Sequence, residues 1–401
     1  MKTDKKIVDA ILTKVYTEGI KPLIIGKENI AYIKDPVFGL IRNRVVAEIL
    51  KALLRINIEP DKDLIKKLIN FILINQNKDG SWNEIHPNYN QPSSLITSIV
   101  GEALLQLNER EKEKRLEDAV HKAKEYILSQ KRVDGILIKS KEYTADHLNV
   151  DATCGAFLSY YGVFFNDKQC KNISRQIARH IFECQFPDGS YPYTTDRGSY
   201  SYVLNVPCIH YQGVTLYYLI KIYNFLPEEF IKVSILNGCK WLVSVQKDNG
   251  RFDWSKSGLM FAYYLTGAYA FSAASLIYAS RWDNKFLESG YKSINVLQNN
   301  YNSLFLRWER DNWKSFIPSI YTTFKTSNMG VFPIKQKLFR FGYGFYRQMA
   351  RRRFSFDIDD KFFNEIVKTL KIKTSTIESF SNYPDLFMTS EIFDSLSTIN
   401  G

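Results

Sequence analysis

No stretch of the sequence reaches the roughly 18 uncharged apolar residues that a helix needs to span a bilayer. Even the most apolar segment, 258–279, is broken by tyrosines and serines. A chain that crosses a membrane as helices is therefore not expected. A Cys-x-x-Cys pair is also missing, and the five cysteines (Cys154, Cys170, Cys184, Cys208 and Cys239) are scattered and odd in number. That excludes a disulfide framework and points to buried thiols in a reducing compartment. The start, Met1-Lys-Thr-Asp-Lys-Lys6, leads into an amphipathic segment rather than an apolar signal core. A cytoplasmic protein is the expectation. No linker rich in Gly, Ser or Pro divides the 401 residues, and histidine occurs only five times, so each histidine is a candidate for chemistry.

Core-forming residues are abundant: 45% of the chain is hydrophobic and 14% aromatic, enough for one large repeat domain. Lys and Arg number 54 against 42 Asp and Glu, a balance of +12 that favours an anionic partner such as a diphosphate, a uronate or an acidic lipid. No recognition motif supports nucleic acid as that partner.

One motif organises the chain. An apolar helix end, a glutamine, a turn with a glycine and then a large apolar or aromatic residue recur from Gln76 to Trp82, Gln130 to Ile136, Gln185 to Tyr191 and Gln246 to Phe252. The glutamines are 54, 55 and 61 residues apart, and a period of that size marks a repeat architecture. Glycine lets the chain turn where a helix stops, and a glutamine can bind backbone groups left open at helix ends. Helix-period segments fall at about 5–18, 37–55, 60–76, 92–107, 113–130, 147–164, 167–185, 208–225, 228–246, 258–281 and 283–300. Segments ending in the repeat glutamine are charged on one face, which suits an outer ring. Those after each turn are rich in small and aromatic residues, which suits inner helices.

The turns Gln76-Asn-Lys-Asp-Gly-Ser-Trp82 and Gln185-Phe-Pro-Asp-Gly-Ser-Tyr191 resemble the Gln-Trp repeats of the terpenoid cyclase and protein prenyltransferase superfamily, over about residues 60–300. The resemblance implies an all-α (α/α)6 toroid of helix pairs. Similar turns occur in toroid lyases and epimerases that act on uronic-acid polysaccharides, so the motif speaks for fold more than for substrate. The toroid is expected over 1–330. Residues 331–401 are expected to form a basic, aromatic extension packed on it, with a peripheral C-terminus.

In a toroid the loops entering the inner helices face one mouth, and the first candidates lie there. His210, Tyr211 and Gln212 follow Pro207 at a helix start; histidine is the usual proton acceptor near neutral pH and tyrosine can return a proton. Asn149, His147, Asn205, Gln212 and Tyr263 are the expected substrate-binding residues, and Asp151 joins His210 and Tyr211 as a catalytic candidate. Asp151, Cys154 and His210 loosely resemble the zinc ligands of prenyltransferase β subunits, but the acid and thiol are three apart here and two apart in that family. Helix capping by Asp151 and burial of Cys154 explain them without metal. No metal and no cofactor are assigned.

Asp357-Ile-Asp359-Asp360 reads as the acid motif of class II terpene cyclases, although Lys361-Phe-Phe follows it, and a helix N-cap explains it equally. Arg340, Arg347, Arg351, Arg352 and Arg353, interleaved with aromatics, suit peripheral contact with an anionic membrane. The resemblance thus implies a protein acting on an isoprenoid diphosphate. The alternatives are a uronate lyase or epimerase acting on a polysaccharide or lipid-linked glycan through His210 and a tyrosine, and a toroid that binds without catalysing.

Overall fold

A computed structural model describes residues 2–35, 39–56, 61–86, 89–131, 137–141, 143–195, 205–253, 256–257, 265–300 and 386–399. The helices are α1 (Lys2–Lys14), α2 (Asn43–Leu53), α3 (Lys62–Ile74), α4 (Ser94–Glu111), α5 (Lys114–Ser129), α6 (Leu148–Phe164), α7 (Lys168–Glu183), α8 (Ile209–Phe225), α9 (Glu229–Ser244), α10 (Leu265–Ala279), α11 (Lys285–Asn300) and α12 (Leu386–Ser397). A π turn, Val15–Ile20, extends α1. No described helix is long and apolar enough to cross a membrane.

Six inner helices form a closed ring. α2 packs on α4, α4 on α6, α6 on α8, α8 on α10, α10 on α12, and α12 returns to α2. Each carries an outer partner: α3, α5, α7, α9 and α11 pack on α2, α4, α6, α8 and α10, while α1 and its π turn pack on α12. The protein is an all-α (α/α)6 toroid. Composition decides the layer: α6 is buried on every side from Leu148 to Gly162. α7 buries only one stripe, including Ile173, Ile177 and Ile181, and turns its lysines and arginines outward.

The sequence places the C-terminus at the periphery, and the structure places it inside. α12 is the sixth inner helix, with Leu386, Ile392, Phe393 and Leu396 in the core. It carries no repeat turn, so periodicity could not find it. The boundary at residue 330 lies outside the described residues. Two short antiparallel hairpins also escape the helix-only expectation: Ile24–Gly26 with Ala31–Ile33, and Asn83–His86 with Tyr89–Pro92.

The repeat turns bolt neighbouring pairs together. Gln185 Nε2 donates to its own turn at Gly189 O (2.9 Å) and to the next outer helix at Ser234 O (3.0 Å). Gln76 makes the same two bonds to Gly80 O and Ala119 O, and Gln246 to Gly250 O and Ser289 O. Glycine is required at the turn on two counts. Gly80, Gly189 and Gly250 have φ of +89°, +91° and +82°, and a Cβ would sit 2.3, 2.3 and 2.6 Å from the carbonyl oxygens of Lys122, Asn237 and Lys292.

Candidate functional site

α2 presents Arg44, Glu48 and Lys51 at helical spacing, with Arg55 just beyond its end, and all four meet partners on other inner helices. Lys51 Nζ lies 2.8 Å from Asp394 Oδ2 and 3.2 Å from Glu102 Oε2; Arg55 is 2.8 Å from Asp394 Oδ1. Lys221 on α8 reaches Glu102 on α4 at 2.5 Å. Since α4 and α8 are separated by α6 in the ring, that contact crosses the axis. Burial pushes the Glu102 carboxyl up, but Lys221 and Lys51 outweigh it and hold the group below its ordinary value. Asp394 is held well down against burial by Lys51, Arg55 and Lys221. Burial lowers the Lys221 ammonium to about 8 despite Glu102.

Nearer the N-terminal ends of the inner helices, Arg44 pairs with Glu48 (2.7 Å) and with Glu391 of α12, and stacks over Phe387 with 4.3 Å to the ring centre. Ser390 donates to Glu48 Oε2 at 2.6 Å. His210 Nε2 on α8 lies 4.0 Å from Glu391 Oε2, again across the ring, since α10 stands between α8 and α12. Burial, and secondarily Arg44, lowers the imidazole to about 3, so His210 is neutral at physiological pH. A Cβ on Gly267 would come 2.9 Å from Glu391 Oε2 and 3.3 Å from His210 Cε1; glycine leaves that approach open.

An aromatic chain leads from His210 to the neighbouring inner helix. His210 meets Tyr211 edge-on (4.9 Å between ring centres), Tyr211 stacks on Tyr193 (4.5 Å), and Tyr193 meets His147 edge-on (5.2 Å). Three residues chosen from sequence, His147, His210 and Tyr211, are thus joined by one that was not. Tyr193 lies two residues past the repeat aromatic Tyr191, and that offset is the only sequence signal for it. His147 Nδ1 lies 2.7 Å from Ala145 O, and burial followed by Lys139 lowers its imidazole to about 4. Asn149 is buried with no hydrogen-bond partner for its Oδ1. Asn205 is exposed.

Gln212 and Asp151 bind backbone groups of the repeat turns. Gln212 Oε1 accepts from Tyr191 N (2.7 Å), and its Nε2 donates to Gly189 O (3.1 Å) and Gly238 O (3.2 Å), so both of its donors are spent on the fold. The same place is filled by Thr97, whose Oγ1 accepts from Trp82 N (3.0 Å), and by Tyr269, whose hydroxyl accepts from Phe252 N (3.0 Å). Asp151 is the fourth member, with Oδ1 3.4 Å from Leu137 N. Four inner helices, α4, α6, α8 and α10, thereby catch the amide that follows a repeat turn.

Asp151, Cys154 and His210 are not brought together. Cys154 donates to Ser94 O (3.7 Å) and lies 3.1 Å from Ser98 Oγ, a buried thiol in a hydroxyl niche. Asp151 instead adjoins Asp146 and His180, two residues that the sequence analysis did not single out. Tyr263, the aspartates 357, 359 and 360, and the arginines of 340–353 lie outside the described residues.

No family model and no curated protein matches the chain. Solved structures share its fold. A sugar epimerase from a ruminal bacterium superposes with a TM-score of 0.56 at 11% identity, over 72% of this chain and 86% of that one. The cellobiose 2-epimerase of Spirochaeta thermophila gives 0.56 at 8% identity, over 75% and 86%. An α-1,6-mannanase from Salegentibacter sp. gives 0.54 at 10% identity, over 74% and 87%. At these identities the likeness concerns the toroid alone.

Proposed function

We propose that the protein is a saccharide-modifying enzyme whose reaction takes place where His210 faces Glu391 at the mouth of the ring. A buried imidazole that is neutral at working pH and stands 4.0 Å from a carboxylate held by Arg44 is the observation that carries this. His210 would accept a proton from a sugar carbon or hydroxyl, with Tyr211 beside it as a donor. The Tyr193 and Tyr211 rings offer faces and edges suited to a pyranose.

Two further observations support a sugar over an isoprenoid. The axis is lined by Arg44, Glu48, Lys51, Arg55, Glu102, Lys221, Glu391 and Asp394, all on or next to inner helices, whereas a hydrocarbon chain would need an apolar lining. Toroid neighbours named as sugar epimerase, cellobiose 2-epimerase and mannanase act on sugars. The described axis residues also pair four cations with four carboxylates, which favours a neutral sugar over the anionic one suggested by net charge.

The test incubates the full chain in D2O with neutral oligosaccharides, uronate oligosaccharides and prenyl diphosphates. Turnover of a neutral oligosaccharide with deuterium entering at carbon is expected. His210→Gln should reduce it by roughly 100-fold or more, with the folded spectrum retained. Turnover of a prenyl diphosphate alone would overturn the proposal.

A further inference from the structure

The third helix pair solves a shared structural problem in an odd way. The amide after a repeat turn is caught by neutral groups on three inner helices, Thr97, Gln212 and Tyr269, and by a carboxylate only at Asp151. Five residues before the repeat glutamine, the first and fourth outer helices place Phe71 and Trp241, but α7 places His180. Both departures meet at one point. Asp146 comes from the loop before α6, Asp151 from its first turn and His180 from the last turn of α7, and one ligand atom from each lies within 4.8 Å of the others.

His180 Nε2 stands 2.9 Å from Asp146 Oδ2 and 3.8 Å from Asp151 Oδ2. These separations bracket the roughly 3.3 Å edge of a tetrahedron whose metal–ligand bonds are about 2.0 Å. Asp146 is 0% and Asp151 2% exposed, and Asp146 Oδ1 and Asp151 Oδ2 have no hydrogen-bond partner. Each buried carboxylate thus keeps one oxygen without a donor, and the adjoining pair calls for positive charge beside it: a protonated His180, a shared proton or a cation.

We infer that Asp146, Asp151 and His180 form a binding site for a divalent transition-metal ion. Two carboxylate oxygens and one imidazole nitrogen are a donor set suited to Zn2+ or Mn2+, and harder ions such as Mg2+ prefer oxygen alone. The ion's place in the fold assigns it a bracing role. Thr195 donates to Asp146 through Oγ1, and its amide bonds the Asp146 carbonyl at 3.0 Å, so the site anchors the loop that carries Tyr193. The site is separate from His210 and stands whether or not the mouth is catalytic.

The test takes the chelator-treated full chain and adds Zn2+, Mn2+, Mg2+ or Ca2+, following heat of binding and thermal unfolding. The expected result is one Zn2+ or Mn2+ per chain, with a raised melting temperature. Asp151→Asn keeps an acceptor for the Leu137 amide and takes away the charge. It should fold, as judged by circular dichroism, and bind the ion roughly 100-fold more weakly. His180→Phe, which restores the residue of the first repeat, should do the same. Failure of all four ions to bind the unsubstituted chain, or binding by Asp151→Asn equal to that of the unsubstituted chain, would overturn the site in favour of a shared proton.

Discussion

The two ends of the ring axis use charge for different purposes. At the far end Asp394 is shared by Lys51 and Arg55, and Glu102 by Lys51 and Lys221, so each carboxylate answers two cations. At the mouth the pairing thins to Arg44 between Glu48 and Glu391, with a neutral imidazole on the other side of Glu391. The same scaffold thus fills one end with matched ions and leaves a neutral imidazole beside a single carboxylate at the other.

The sharpest way to break this contrast is Asp394→Ala, which takes the carboxylate from Arg55 and leaves Lys51 with Glu102 alone. A loss of about 3–5 kcal/mol of stability is expected in a denaturant melt. His210→Gln should leave the same melt within about 1 kcal/mol while removing turnover. Equal destabilisation by both would erase the difference between the ends. Next in size is Gln185→Ala, which frees two carbonyls shared by consecutive helix pairs and should cost about 2 kcal/mol.

A further comparison separates the ends by pH. His147 and His210 ordinarily titrate near 6.5 and are held at about 4 and about 3. A folded value below the unfolded one means that their stabilisation is present above pH 6.5 and drains as pH falls towards the folded values. The slope is about 1.4 kcal/mol per pH unit for each histidine. Urea midpoints from pH 7 down to 4 should therefore fall less steeply in His210→Gln than in the unsubstituted chain. The smallest effect is expected from Asn205→Ala: the side chain is exposed, and a change in melting beyond about 0.5 kcal/mol would show it bound to something.

The toroid is legible in the sequence because its bolts are local: glutamine, glycine and aromatic fall within seven residues and recur. The axis is not, because its contacts are remote. Lys51 meets Glu102 and Asp394, and a charged residue on a helix ordinarily reads as solvated until its partner on another helix is known. Glu391 and Asp394 were hidden for the same reason, in a helix without a repeat turn. His210, Tyr211 and His147, picked out because histidine is scarce and loop-to-helix junctions converge in a toroid, lie together through Tyr193. Gln212 and Asp151 sit at that junction too, yet serve the backbone. Only the partners of Thr97 and Tyr269 reveal the shared duty.

Closure of the ring by α1 and α12 sets the order in which the protein can be finished on the ribosome. Five inner helices emerge with Lys51, Arg55 and Arg44 already in place, and none of the three has its α12 carboxylate until Glu391 and Asp394 leave the exit tunnel. A chain cut before residue 386 would lack both carboxylates and leave the cationic seam of α2 open to water.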